Sequence, residues 1–193
     1  MSSNIEIEAK VLLNQSEYEK VIEHLSLDKY RKVKQMNYYI DTPDRFLKKN
    51  GLALRVREKE DFELTLKTPL SEGLLEKNEN ISWRDFDLLH DNNIFPEGNI
   101  KRFLSILGVK IEELKILTSL QTNRIEINYE GGKLSLDKNT YSNQIDYELE
   151  FEHTSMDNAQ NLIKQLLKEC GIDEKPFNKI SKHVRALNEM ENN

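Results

Sequence analysis

From Ile5 to Val11 the chain reads I-E-I-E-A-K-V, and apolar and polar residues alternate without a break. In an extended strand Ile5, Ile7, Ala9 and Val11 share one face, and Glu6, Glu8 and Lys10 share the other. The same period recurs along the chain. Lys34–Asp41 sets Tyr38 and Ile40 against Tyr39 and Asp41. Leu52–Glu58 sets Leu54 and Val56 against Arg55 and Arg57. Phe62–Lys67 sets Phe62, Leu64 and Leu66 against Glu63, Thr65 and Lys67. The Lys59–Asp61 turn joins these last two as a hairpin. Leu74–Ile81 is a further strand, carrying Glu76, Lys77 and Glu79. Leu120–Tyr129 and Lys133–Asp137 follow, with Arg124 and Asp137 on their polar faces. Ile145–Glu152 has the sharpest alternation: Asp146, Glu148, Glu150 and Glu152 against Ile145, Tyr147, Leu149 and Phe151.

Between these strands a helical period takes over. Ser16 and Glu19 stand at capping-box spacing around the stripe Tyr18, Val21, Ile22 and Leu25. Arg45–Lys49 is a short turn after Asp41-Thr42-Pro43-Asp44. Ser82 and Asp85 mark the start of a helix through Leu89. Asn99–Leu107 carries Ile100, Phe103, Leu104 and Leu107, with Gly108 as its stop. Ala159, Leu162, Ile163, Leu166, Leu167 and Cys170 form one stripe behind the caps Thr154 and Ser155. Asn178–Met190 is a weaker last helix with Lys179, Lys182 and Arg185. About eight strands and these helices give an α+β class. The 193 residues carry no linker or repeat, so a single domain over 1–193 is expected.

Charged residues make up 32% of the chain and the net charge is −6, which disfavours nucleic acid as a partner. One cysteine, Cys170, permits no internal disulfide and fits a reducing compartment. No apolar run reaches the roughly 18 residues of a membrane span, and no basic-plus-apolar leader opens the sequence. A soluble cytoplasmic protein is expected. The four histidines, His24, His90, His153 and His183, have no metal-ligand spacing and are read as surface or incidental.

Two architectures accommodate strands that alternate apolar with charge of both signs. An open antiparallel sheet buries its apolar face under helices and leaves the charged face wet. Alternatively, the sheet closes with its charged faces inward, and a barrel of about eight strands holds one small ligand. The paired Arg55/Arg57, Glu6/Glu8 and Glu148/Glu150 exceed what solubility requires and favour closure. A lumen holding Lys10, Arg55, Arg57, Lys67, Arg124 and Lys179 suits a polyanion, since the arginine fork matches phosphate oxygens. Carboxylates in the same space would repel that ligand unless a hard cation, Mg²⁺ or Mn²⁺, bridges the two.

The motif Glu6-x-Glu8-x-Lys10 resembles the signature of the CYTH domain, the triphosphate tunnel metalloenzyme superfamily. The resemblance continues in family order through N-Y-Y-I-D-T-P-D, G-L-A-L-R-V-R, L-T-L-K, the Arg124 strand, L-D-K-N-T-Y, Y-E-L-E-F-E and the late N-K-I. It spans nearly the whole chain and is nearest to the short bacterial members. It implies a closed eight-stranded antiparallel β-barrel with helices packed outside. Carried over, Lys10, Arg55, Arg57, Lys67, Arg124 and Lys179 bind the triphosphate. Glu6, Glu8, Glu148, Glu150, Asp137 and Glu79 (or Glu76) hold metal. Glu6, Glu8, Lys10 and Glu150 carry the catalysis.

The resulting expectation is a Mg²⁺- or Mn²⁺-dependent hydrolase of inorganic triphosphate or a small triphosphate ester. A class IV-type adenylate cyclase, converting ATP to cyclic AMP and pyrophosphate, is the first alternative; no motif for holding adenine or activating a ribose hydroxyl stands out. A non-catalytic polyphosphate- or nucleotide-binding module is the second, and it leaves the acidic residues without a purpose.

Overall fold

A computed structural model describes residues 2–71 and 73–192. In chain order they form β1 (Ser2–Glu6), β2 (Glu8–Leu13), α1 (Gln15–His24), β3 (Val33–Asp41), α2 (Phe46–Lys49), β4 (Ala53–Glu58), β5 (Phe62–Pro69), β6 (Leu74–Ile81) and α3 (Trp83–Asn92). Then come α4 (Asn99–Ile106), β7 (Lys115–Tyr129), β8 (Gly132–Tyr141), β9 (Gln144–Glu152), α5 (Met156–Glu169) and α6 (Lys182–Asn192). The fold is α+β. Its nine strands form one sheet in the order β1-β6-β5-β4-β3-β7-β8-β9-β2, and the registered pairs are antiparallel.

Among the described residues nine strands stand where eight were expected. The Ile5–Val11 strand is broken at Ile7, which leaves β1 beside β6 at one end of the order and β2 beside β9 at the other. The Ile7 carbonyl still accepts a hydrogen bond from the His153 amide at 3.0 Å. Alternation alone cannot reveal such a break, because Ile7 keeps the period.

The chain groups into two compact units. The first comprises Met1–Ile5, Gln35–Leu120 and Lys182–Asn193; the second comprises Glu6–Lys34 and Gln121–Ser181. In the first, Ile40, Leu54, Val56, Leu64 and Leu66 supply the apolar strand face. Leu47 of α2, Leu89 of α3, and Ile100 and Leu104 of α4 cover it. In the second, Ala9, Val11, Ile125, Leu134, Leu136, Leu149 and Phe151 meet Tyr18 and Val21 of α1 and Ala159, Ile163, Leu166 and Leu167 of α5. Each fully buried leucine or isoleucine contributes about 1.5–3 kcal/mol, so these cores fix which strand face is left for polar side chains.

Local signals account for most helix starts. Ser82 and Asp85 form the capping box of α3, and Ser155 caps α5. The cap of α1 lies two residues earlier than its spacing suggests: Asn14 pairs reciprocally with Glu17, not Ser16 with Glu19. The last helix begins at Lys182 and not at Asn178. The Asn178 side chain accepts from the Ile180 amide at 3.0 Å, and its own amide donates to the Lys10 carbonyl at 2.7 Å. That local bonding holds the segment extended and competes with helix. Strand β7 starts at Lys115, ahead of the expected Leu120, because adjacent Ile116 and Leu117 hide its period.

Candidate functional site

In the second unit the polar faces of four strands carry the charge. Register sets Lys10 of β2 beside Glu150 of β9, and Glu150 beside Ser135 of β8. Glu148 lies beside Asp137 of β8, which lies beside Arg124 of β7. Asp137 and Glu148 have no exposed surface, and Glu150 is 7% exposed. Carboxylates this deep must be compensated. Arg124 does so for two of them: Nε donates to Asp137 Oδ1 at 2.8 Å, and Nη2 to Asp137 Oδ2 at 2.6 Å and Glu150 Oε2 at 2.5 Å. Burial opposes the guanidinium charge, but the fields of Asp137, Glu150 and Glu8 outweigh it and raise the Arg124 pKa well above its ordinary value. Lys10 Nζ sits 2.5 Å from Glu8 Oε1. Asn178 Nδ2 donates to Glu148 Oε1 at 3.2 Å, on the segment anchored to Lys10.

In the first unit the rows run across β3, β4, β5 and β6. One row is Tyr39, Arg55, Thr65 and Asn78; the next is Asn37, Arg57, Glu63 and Asn80. Lys67 and Glu76 face each other with Nζ to Oε1 at 2.7 Å. Burial pushes the Glu76 pKa up, but Lys67, Arg55 and Arg57 together bring it below the usual value. Arg57 Nε donates to Asn37 Oδ1 at 3.2 Å. Arg55 Nε, Thr65 Oγ1 and Asn78 Oδ1 are buried without a hydrogen-bond partner among the described residues. Such atoms carry an unmet desolvation cost, which a polar ligand relieves.

Placement separates the two acidic alternatives on β6. Glu76 shares the face of Lys67. Glu79 lies on the opposite face, opposite Leu64, and its oxygens accept from the Asn99 and Ile100 amides at 2.8 and 3.0 Å. It caps α4, so the reading that put Glu79 among the inward acids is corrected. Lys77 is outward with it, over the Phe103 ring at 5.0 Å. Lys179 is exposed, and among the described residues no hydrogen bond or ion pair ties it to the other phosphate-binding candidates. Glu6, the last residue of β1, is half-buried. Asp41 is structural: its oxygens accept from the Thr42, Leu47 and Lys48 amides at the start of α2.

Three contributors lie outside the predicted site residues. Asn178 and Asn37 act as neutral partners of charged side chains; both stand in the motifs N-K-I and N-Y-Y-I-D-T-P-D, which gave them no role. His183, read as surface or incidental, is 4% exposed, with its ring 5.0 Å from that of Tyr39. Burial lowers its pKa to about 4, so it is neutral at physiological pH.

The acidic donors are all carboxylate oxygens, the ligand type that Mg²⁺ and Mn²⁺ take. Among the described residues no three His, Cys, Asp or Glu side chains are grouped to hold a metal. Arg124, Lys10 and Asn178 engage Asp137, Glu150, Glu8 and Glu148. The donor chemistry fits a hard cation.

These strand faces set arginine and lysine against buried carboxylates and leave Arg55 Nε, Thr65 Oγ1 and Asn78 Oδ1 unmet. The chain belongs to the CYTH domain family, whose model matches residues 4–182. It is 35% identical over 176 residues to a Bacillus subtilis (strain 168) protein provisionally named triphosphatase YjbK, covering 91% of each chain. Among solved structures it resembles a Bacillus halodurans protein provisionally described as an adenylate cyclase, with TM-score 0.88, 38% identity, and coverage of 96% of this chain and 98% of that one. It also resembles HpAC1 of Hippeastrum, provisionally an adenylyl cyclase and described as revealing a dominant triphosphatase activity. There the TM-score is 0.78 at 25% identity, covering 96% and 95%.

Proposed function

We propose that this chain is a divalent-metal-dependent phosphohydrolase acting on inorganic triphosphate or a small triphosphate ester. One observation carries the reading. The basic side chains Lys10, Lys67 and Arg124 each rest on a carboxylate of their own strand face, in the pairs Lys10–Glu8, Lys67–Glu76 and Arg124–Asp137/Glu150. Such pairs are stable placeholders. An arriving polyphosphate offers the cations better oxygens, and the carboxylates are released to hold a cation of their own.

In this reading Arg55, Arg57, Lys67, Arg124, Lys10 and Lys179 bind the phosphate chain, and Glu6, Glu8, Glu148, Glu150 and Asp137, with Glu76, hold Mg²⁺ or Mn²⁺. Glu6, Glu8, Lys10 and Glu150 carry the catalysis. When bound, the metal neutralises phosphate charge and supplies an activated water. Arg55 brings an unmet buried donor to the chain.

The proposal includes a sheet curled into a tunnel. Chain connectivity supports it: the strands at the two ends of the order, β1 and β2, are separated by Ile7 alone. The outer strands of a flat nine-stranded sheet would lie roughly 38 Å apart, eight gaps of about 4.8 Å.

The names carried by YjbK and HpAC1 favour hydrolysis; that of the Bacillus halodurans relative favours cyclisation. One assay separates them. The protein is incubated with tripolyphosphate, ATP or thiamine triphosphate and either metal. Orthophosphate release supports the proposal, cyclic AMP with pyrophosphate replaces it with a cyclase, and binding without turnover replaces it with a carrier.

A further inference from the structure

A second polar cavity lies in the second unit, away from the carboxylates just described. Its volume is about 260 Å³. It opens on the other face of β7, β8 and β9. Asn123, Lys138 and Tyr147 lie side by side across those strands, and each is the sequence neighbour of a residue on the acidic face: Arg124, Asp137 and Glu148. Tyr18 of α1 closes the apolar side, its ring 4.8 Å from that of Tyr147. Lys32 completes the rim.

The charge of this cavity is positive. Lys32 and Lys138 have no carboxylate partner among the described residues; Lys138 Nζ lies 5.9 Å from the centre of the Tyr147 ring. The one acid at the rim, Glu19, is held by a hydrogen bond from Gln15 Nε2 at 3.0 Å. Two ammonium groups against one engaged carboxylate select an anion. The volume falls just under the roughly 300–1,000 Å³ of drug-sized pockets, so the ligand is small. Ammonium groups are point charges that suit phosphate, and the Asn123 amide adds a directed hydrogen bond.

We infer that this cavity, lined by Lys32, Lys138, Asn123 and the Tyr18–Tyr147 pair, is a second anion site for a small phosphate-bearing molecule. The site is independent of the proposed reaction, because none of these residues belongs to the acidic face. The phosphate dianion is the shared chemistry, and it comes either from an inorganic polyphosphate or from a phosphate ester.

The test is a titration of ¹⁵N-labelled protein in EDTA, followed at the Asn123 side-chain amide, with pyrophosphate or ribose 5-phosphate as probe. Saturating shifts at Asn123 are expected. They persist in Arg57→Ala and weaken at least tenfold in the double variant Lys32→Gln/Lys138→Gln, whose remaining spectrum reports an intact fold. A response to pyrophosphate alone identifies an inorganic ligand; a response to ribose 5-phosphate identifies an ester. No saturable shift at Asn123 with either probe, or an unchanged midpoint in the double variant, overturns the site. Neither of those results bears on the triphosphatase assay.

Discussion

Replacing Arg124 with methionine removes a guanidinium bonded to both Asp137 and Glu150 while keeping an unbranched side chain. Asp137 has no exposed surface and Glu150 is 7% exposed, so water does not readily replace the guanidinium. Breaking a buried pair from one side costs about 3–5 kcal/mol, because the remaining charge is uncompensated. Two carboxylates share that loss here, and the upper half of the range is expected. Urea unfolding of both proteins, without metal or phosphate, measures it. A gap below about 1 kcal/mol would refute the reading that Arg124 compensates these carboxylates.

Other outcomes follow from the same geometry. Glu79→Gln should lower stability by about 0.5–2 kcal/mol through the weakened cap of α4, with turnover unchanged; lost turnover at full stability would return Glu79 to the site. Glu8→Gln should abolish metal-dependent phosphate release while the circular dichroism spectrum stays the same, and full activity would remove Glu8 from the metal ligands. Arg57→Ala should weaken tripolyphosphate binding in calorimetry, and an unaltered affinity removes it from the site. His183 has a folded pKa of about 4 against an ordinary 6.5. Its contribution is therefore complete above pH 6.5 and is lost as pH falls toward 4, to a total of about 3 kcal/mol. In His183→Phe that part of the acid destabilisation should vanish from the urea midpoints, and an identical pH profile would contradict it.

Period-two alternation located the strands and sorted their faces correctly, because a strand's two faces meet different surroundings. Arg124, Asp137, Glu148 and Glu150 share a face as the pattern requires. It could not see Ile7, where a strand changes neighbours without losing its period. Nor could it decide between Glu76 and Glu79. They are three residues apart and so lie on opposite faces, and only the position of α4 shows which one is used as a cap. The roles of Asn178 and Asn37 were also hidden, although both stand in family-like motifs, because they act through contacts set by tertiary structure. His183 is buried beside Tyr39, and its lowered pKa keeps it uncharged there.

Buried acid–base pairs are poor stabilisers. Their desolvation cost offsets most of their attraction, and apolar residues of similar size hold a protein together as well or better. Stability alone therefore does not explain a sheet face that buries Asp137, Glu148 and Glu150 with Arg124, and Glu76 with Lys67. Nor does solubility, since buried groups do not meet water. Under the proposed function, what such a face gains is exchangeability: each cation is held in place, charged and pre-aimed, by a partner that a phosphate oxygen can displace. The same bound state would serve water attack on a triphosphate and ring closure on ATP, since both begin with the phosphate chain fixed and its charge neutralised. That is a physical reason for relatives provisionally named for either reaction to share this fold. The choice between them falls to whatever positions the nucleophile, water or ribose hydroxyl, beside a phosphate cradle common to both.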